Sequence, residues 1–196
     1  AGMVSEAQNL KNAGCVQAVF EPHLLDIFKG NYLLGHVTSH DFPQNKYQLF
    51  SSFYPCDVVL CHNGILTNRD AIKAKLETKY HSKFEVKSDA HLVIQWVSCK
   101  LRKYFSKYKK TEIDLFCIEK LVNSIYTRLE GSFSMILIFR KYGMIALRDQ
   151  KGLHPLFYGS LKNEEDEAAV EHLIGSETVL FDGPYEEVQP GQCVIF

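Results

Sequence analysis

Apolar positions along the chain repeat first with the period of strands, then with that of helices, then with that of strands again. Gly14 to Phe20 reads as a strand, and Glu21-Pro22 opens a short helix over His23 to Phe28 that Gly30 ends. Asn31 to Ser39 is a second predicted strand, in which Gly35 predicts the close approach of another backbone, and polar residues from His40 to Tyr47 form a loop. Cys56 to Cys61 is a β-branched run that stops at the Asn63-Gly64 corner, where Thr67-Asn68 caps the next element.

From Arg69 to Tyr80 the spacing of Ala71, Ile72, Lys75 and Leu76 predicts a helix with one packed face and its lysines in water. Phe84 to Lys87 alternates as a short edge strand. Ser88-Asp89 then caps a helix over Ala90 to Tyr104, whose inward face carries Leu92, Val93, Trp96 and Val97. A third helix runs from about Ile113 to Leu129, with Gly131 as its stop.

Ser132 to Arg140 and Met144 to Arg148 read as a hairpin joined at Tyr142-Gly143, with Phe133 to Phe139 as central-strand core. Leu156 to Gly159 and a strand-rich section from Leu173 to Phe196 complete the pattern. Strands, then helices, then strands predict an α+β fold of antiparallel sheets with helices segregated on their outer faces.

Composition narrows the class. A chain of 196 residues with 46% hydrophobic and 12% aromatic residues fits one globular domain, spanning 1–196, and the formal net charge of −1 demands neither a nucleic acid nor a membrane. The longest apolar run, at Met135 to Phe139, is far short of the roughly 20 residues that span a bilayer, and no signal segment opens the chain. Six cysteines without C-x-x-C or zinc-like spacing read as reduced, mostly buried thiols in an intracellular compartment, cytoplasmic or organellar. His36, His40 and Asp41 have a spacing that needs a helix to bind a metal, and that stretch reads as strand and loop, so neither a metal nor a cofactor is expected. The basic run Lys100 to Lys110 reads as a solvated helix end.

Candidate chemistry centres on Cys61-His62-Asn63-Gly64. An Asn side-chain amide beside the N–H of a residue without a Cβ supplies the two donors of an oxyanion hole. His62 beside them is read as a structural histidine, and Asp89 after Ser88 as a helix cap or a binding carboxylate.

Taken together, these segments resemble the glutaminase domains of amidophosphoribosyltransferases, which are class II (N-terminal-nucleophile) glutamine amidotransferases. The matching stretches are Asn12 to Phe20, GNYLLGHV at Gly30 to Val37, HNGILTN at His62 to Asn68, Ser88-Asp89, LEGSFS at Leu129 to Ser134, RDQKGLHPL at Arg148 to Leu156, GSET at Gly175 to Thr178, and VQPG at Val188 to Gly191. They occur in the family's order across essentially the whole chain. The resemblance implies a four-layer αββα sandwich of the N-terminal-nucleophile hydrolase type. It also implies an oxyanion hole at Asn63 and Gly64, and binding of the α-ammonium of glutamine by Asp89, with Ser88 and His62 beside it.

Two departures bear on activity. The family's N-terminal cysteine, with its α-amine as base, has no counterpart, because the ungapped match places Ala1-Gly2-Met3-Val4 on the family's second strand. On that register the first strand and helix are missing, which exposes apolar surface and calls for a partner chain. Separately, the family's carboxylate-binding arginine after Gly-His-Val is replaced by Thr38, a nearby acidic position by His91, and the late Arg-Pro by His154-Pro155. Three functions follow: a catalytically inactive domain serving as an interaction subunit, the glutaminase part of an enzyme whose cysteine segment lies outside this sequence, or an amino-acid sensor that binds glutamine uncleaved.

Overall fold

A computed structural model describes residues 2–5, 9–12, 14–25, 28, 30–37, 49–52, 57–80, 85–140, 142–162 and 170–196. In chain order the elements are β1 (Gly2–Ser5), β2 (Asn9–Lys11), α1 (Val16–Val19), α2 (Pro22–Leu25), β3 (Leu33–His36), β4 (Leu49–Ser52), β5 (Val58–Leu66), α3 (Arg69–Tyr80), α4 (Asp89–Tyr108) and α5 (Leu115–Arg128). They continue with β6 (Gly131–Phe139), β7 (Gly143–Arg148), β8 (Phe157–Lys162), β9 (Val170–Gly175), β10 (Tyr185–Glu187) and β11 (Cys193–Ile195), with a 3-10 turn at Thr178–Leu180.

The two longest strands, β5 and β6, are antiparallel and pair along their whole length, from Val58 opposite Phe139 to Leu66 opposite Gly131. Around them a five-stranded antiparallel sheet forms in the order β11-β7-β6-β5-β4. One face carries Val58, Leu60, Phe133, Met135 and Leu137, which pack against the apolar stripes of α3, α4 and α5. Leu92, Val93, Val97 and Leu101 of α4 are buried or nearly so, each contributing about 1.5–3 kcal/mol by leaving water.

The opposite face of that sheet meets two three-stranded antiparallel sheets, ordered β2-β1-β3 and β10-β8-β9. Leu34 of β3 packs on Val59, Cys61 and Ile138, while Leu156, Tyr158 and Val188 pack on Ala146, and Ile136 belongs to both contacts. The layers are therefore helices, a five-stranded sheet, and a second β layer, the α+β arrangement expected for an αββα sandwich. Among the described residues every helix longer than four residues lies in the first of these layers.

Several local expectations are corrected. Gly14 to Phe20 is not a strand: Val16 to Ala18 are exposed, only Val19 and Phe20 are buried, and the Cys15 carbonyl accepts from Ala18 and Val19 N–H as one helical turn. The next helix is the short α2, and residues 26–27 lie outside the description. Glu85 to Lys87 pairs with no strand among the described residues, and Phe84 lies outside them; Val86 sinks into the helical core and its carbonyl accepts from Arg69. Gly35 pairs with Met3 in the ordinary ladder, and among the described residues nothing lies within 4 Å of where its Cβ would be. Cys15 is exposed, whereas Cys61, Cys99 and Cys117 are buried. The predicted loop over His40 to Tyr47, together with Thr38 and Cys56, lies outside the described residues.

Candidate functional site

Strand β5 does not turn at Asn63-Gly64 but continues in register to Leu66, with Asn63 opposite Ser134 and Gly64 opposite Phe133. What the Asn-Gly pair marks is a bend inside the ladder. Gly64 has φ 139° and Gly131 has φ 135°, and a Cβ on either meets the partner strand's backbone: Ser132 O at 2.0 Å from position 64, Ile65 O at 2.1 Å from position 131. Two glycines that flank the Ile65–Ser132 pair, one on each strand, thus let the carbonyl of Ser132 approach Gly64 and that of Ile65 approach Gly131 where side chains forbid it.

Hydrogen-bond phase decides where the Gly64 N–H goes. Thr67 N donates to Glu130 O at 2.8 Å, so odd-numbered residues of β5 exchange bonds with β6 and even-numbered ones point the other way. Leu66 confirms this, donating its N–H to Asp89 Oδ2 at 2.9 Å on the far edge. The Gly64 N–H faces that same edge, beyond the last described pair of β4 with β5, Leu49 opposite Cys61. Asn63 is exposed next to it. A backbone N–H directed out of a strand edge is the kind of donor that binds an anionic or carbonyl oxygen.

Asp89 sits at the first turn of α4, only 3% exposed. It does not cap the helix. Ser88 does, accepting from His91 N at 3.2 Å, and His91 Nδ1 in turn accepts from Lys87 N at 3.2 Å. Asp89 instead ties α4 to β5 through Leu66 N, and Arg69 Nε stands 3.6 Å from its other oxygen while Arg69 Nη2 donates to Val86 O at 3.1 Å. Both carboxylate oxygens therefore face groups of this chain. An open groove of about 800 Å³ is lined by Leu66, Arg69, Lys73, Val86 and Lys87 among others, and Asp89 is not in its wall. Removing the carboxylate in Asp89→Ala strands the Leu66 N–H and leaves Arg69 unpaired, with an expected loss of about 2–4 kcal/mol, read as a lowered urea midpoint.

Histidines surround the strand rather than line the edge. His62 is fully buried, on the face of β5 shared with Val58 and Leu60, and neither ring nitrogen has a hydrogen-bond partner among the described residues. Burial first, and then His36 and His154, push its pKa down to about 3. Cys61, on the other face, has its Sγ 3.2 Å from Nδ1 of His36; burial pushes the thiol up to about 12 and the His36 imidazole down to about 4. Thiol and imidazole are both neutral near pH 7, so this is a hydrogen-bonded contact between sheets and not an activated thiolate.

The sign of the pH dependence follows. Above pH 6.5 both histidines are neutral whether the chain is folded or not, and they add no slope. Below it the unfolded chain binds protons that the folded one refuses until about pH 4 at His36 and about pH 3 at His62. Stability is expected to fall as pH drops from 6.5 toward 4, by up to about 1.4 kcal/mol per unit for each histidine. Urea unfolding at stepped pH checks this, and His62→Leu is expected to flatten the slope.

One pair went unassigned from the sequence. Arg148, the last residue of β7, and Asp149 just after it are 6% and 2% exposed. Asp149 accepts from Phe133 N at 3.0 Å with one oxygen and from Lys151 N at 2.7 Å and Gly152 N at 3.0 Å with the other. Arg148 donates to Val188 O at 2.9 Å, Gly152 O at 2.6 Å and Glu187 Oε1 at 2.5 Å. His154, in the same loop, has Nε2 3.2 Å from Ser132 Oγ. An Arg-Asp pair before a glycine in a polar loop was the available signal.

Asn68, expected to cap α3, instead bolts that corner shut: its Nδ2 donates to Arg128 O at 2.9 Å and its Oδ1 accepts from Glu130 N at 3.1 Å. Among the described residues no cluster of three or more metal-binding side chains occurs, and no helix is long and apolar enough to cross a membrane.

Comparison with known proteins gives a consistent picture. Residues 38–177 match the family model described as a glutamine amidotransferase domain. The amidophosphoribosyltransferase of Pasteurella multocida is 30% identical over 192 residues, which cover 94% of this chain and 36% of that protein. That of Escherichia coli is 27% identical over 191 residues, covering 94% and 37%. The fold superposes with a TM-score of 0.72 on the Bacillus subtilis glutamine phosphoribosylpyrophosphate amidotransferase complexed with ADP and GMP, at 25% identity, covering 99% of this chain and 40% of that one. The chain spans a little over a third of the length of the two amidophosphoribosyltransferases.

Proposed function

The chain belongs to the glutamine amidotransferase domain family, of the amidophosphoribosyltransferase type, and from that premise we propose that it is a degenerate member that does not hydrolyse glutamine on its own. In this reading the fold and the donor edge persist, and the domain serves as a structural or interaction subunit. The observation that carries it is the state of Asp89. In the family the corresponding carboxylate is the one expected to take the substrate's α-ammonium; here it is buried, bonded to Leu66 N–H, and faced by the Arg69 guanidinium. A substrate ammonium has to displace an internal cation to reach it, and the displaced charge then lies against the incoming one.

Two further points support the same reading. Thr38 stands where the family carries the arginine that clamps the substrate carboxylate, and a hydroxyl offers neither charge nor a bidentate fork. Cys61, the cysteine nearest the donor edge in sequence, is a protonated thiol and lacks the free amine that serves as base in the family's mechanism.

A second reading rests on Gly64, whose N–H faces the edge of β5 beyond its described pairing with β4. In it this sequence is the glutaminase part of an enzyme whose nucleophile lies on chain outside it. The full native polypeptide separates the two: glutamate release at saturating glutamine overturns the first reading. Calorimetric titration with millimolar glutamine separates both from an amino-acid sensor, which alone gives saturable heat without turnover.

A further inference from the structure

The β10-β8-β9 sheet turns one face inward and the other toward solvent. Tyr158 and Ile174 point inward, where they pack with Ala146, Leu156 and Val188. Because side chains alternate along a strand, their neighbours point outward: Phe157 opposite Gly175 and Glu187, and Gly159 opposite Leu173 and Tyr185. Ring contacts tie this outer face together, Phe157 to Tyr185 with centroids 5.8 Å apart and Tyr185 to Phe181 with centroids 5.3 Å apart.

Two glycines leave room here for the turn that follows β9. A Cβ at Gly159 meets the Phe181 ring and one at Gly175 meets the Leu180 side chain, so the 3-10 turn at Thr178–Leu180 and the residue after it lie across the outer face. They do not close it. Val179 is 86% exposed, Leu180 50% and Tyr185 47%, and among the described residues every helix longer than four residues lies on the other side of the five-stranded sheet. Neighbouring apolar side chains left in water on one sheet face mark a contact surface.

Charge specifies what fits it. Residues 157–196 hold nine Asp and Glu against a single Lys, within a chain of formal net charge −1, so this part of the molecule is its acidic pole. Glu177 and Asp182, both exposed, bracket the turn, whereas Glu187 is taken up by Arg148 and Glu186 by the Tyr158 hydroxyl. We propose that Val179, Leu180, Phe181 and Tyr185, with Glu177 and Asp182 at the rim, form a docking surface for a basic polypeptide segment that carries apolar side chains between its cations. Nucleic acids and anionic lipids are repelled by the acidic pole, and a polyamine or metal cation leaves the apolar face wet. This gives the interaction subunit proposed above the chemistry of its partner, and rests on that reading.

The test is fluorescence anisotropy of the full native polypeptide with a labelled peptide of alternating Lys and Leu, alongside oligolysine of equal charge, at about 50 mM and about 500 mM salt. The expected result is saturable binding of the Lys and Leu peptide, at least about tenfold tighter than that of oligolysine and weaker at high salt. Val179→Ser/Asp182→Lys is expected to weaken it at least about tenfold further. Both replaced side chains are exposed, so the melting temperature of that variant is expected within about 2 °C of the parent, and lost binding is not lost folding. Absent peptide binding, equal affinity for oligolysine, unchanged binding by the variant, or self-association of the chain that the variant abolishes each overturns the proposal. Glutamine hydrolysis measured on the same polypeptide tells the two readings apart: turnover overturns the inactive subunit, and absent peptide binding without turnover overturns the docking surface alone.

Discussion

Gly64→Ala is expected to lower stability by about 4 kcal/mol or more, the largest effect of any single methyl in this chain. Two costs combine. A residue with a Cβ held at φ 139° pays about 1–3 kcal/mol for backbone strain. The new Cβ also lies 2.0 Å from Ser132 O, a backbone atom of a central strand that cannot rotate aside. Gly131→Ala is expected to behave alike, through Ile65 O at 2.1 Å.

The two costs are not independent, because both alanines push apart the same pair of residues, Ile65 and Ser132. Once one has spread the strands the second costs less, so the double variant is expected to be more stable than the sum of the singles predicts. Gly35→Ala is the control: its Cβ meets nothing within 4 Å, and its effect is expected within about 0.5 kcal/mol. Thermal melts of the four variants check the set.

Asp149→Ala is the second large effect, about 3–5 kcal/mol, or roughly 6–20 °C in melting temperature for a chain of this size. Three N–H groups converge on its carboxylate, and that of Phe133 belongs to the strand facing the bend. Without an acceptor this N–H is stranded in the core, and the Gly152 turn loses its anchor. Asp149→Asn keeps one acceptor oxygen and is expected to lose roughly half as much. An equal loss in both variants contradicts the account, which places the cost in unsatisfied donors.

The helices and the central strands were legible because their signals are local. Ile72 with Leu76, and Leu92, Val93, Trp96 with Val97, repeat at helical spacing, and all six face one core. The Asn-Gly pair misled because its turn propensity is real but is overridden by pairing with Ser134 and Phe133 of β6, partners distant in sequence whose importance appears only when the strands lie side by side. Gly14 to Phe20 is apolar enough to read as a strand, yet only its last two residues are buried, and one helical turn satisfies the backbone instead.

Ser88-Asp89 was legible as the start of α4, but the two residues divide the work: the serine caps, and the aspartate braces β5. Arg69, which decides how Asp89 is used, stood out in sequence only as the first residue of a helix. Its pairing arises from the packing of α3 against α4.

The measurement that tests the proposed loss of glutaminase activity most directly is glutamine hydrolysis by the full native polypeptide, with its N-terminus read by intact mass. The expectation is glutamate and ammonia release no greater than in buffer at saturating glutamine. Turnover that is abolished by alkylating an N-terminal cysteine contradicts it, and returns the donor edge at Asn63 and Gly64 to service as an oxyanion hole.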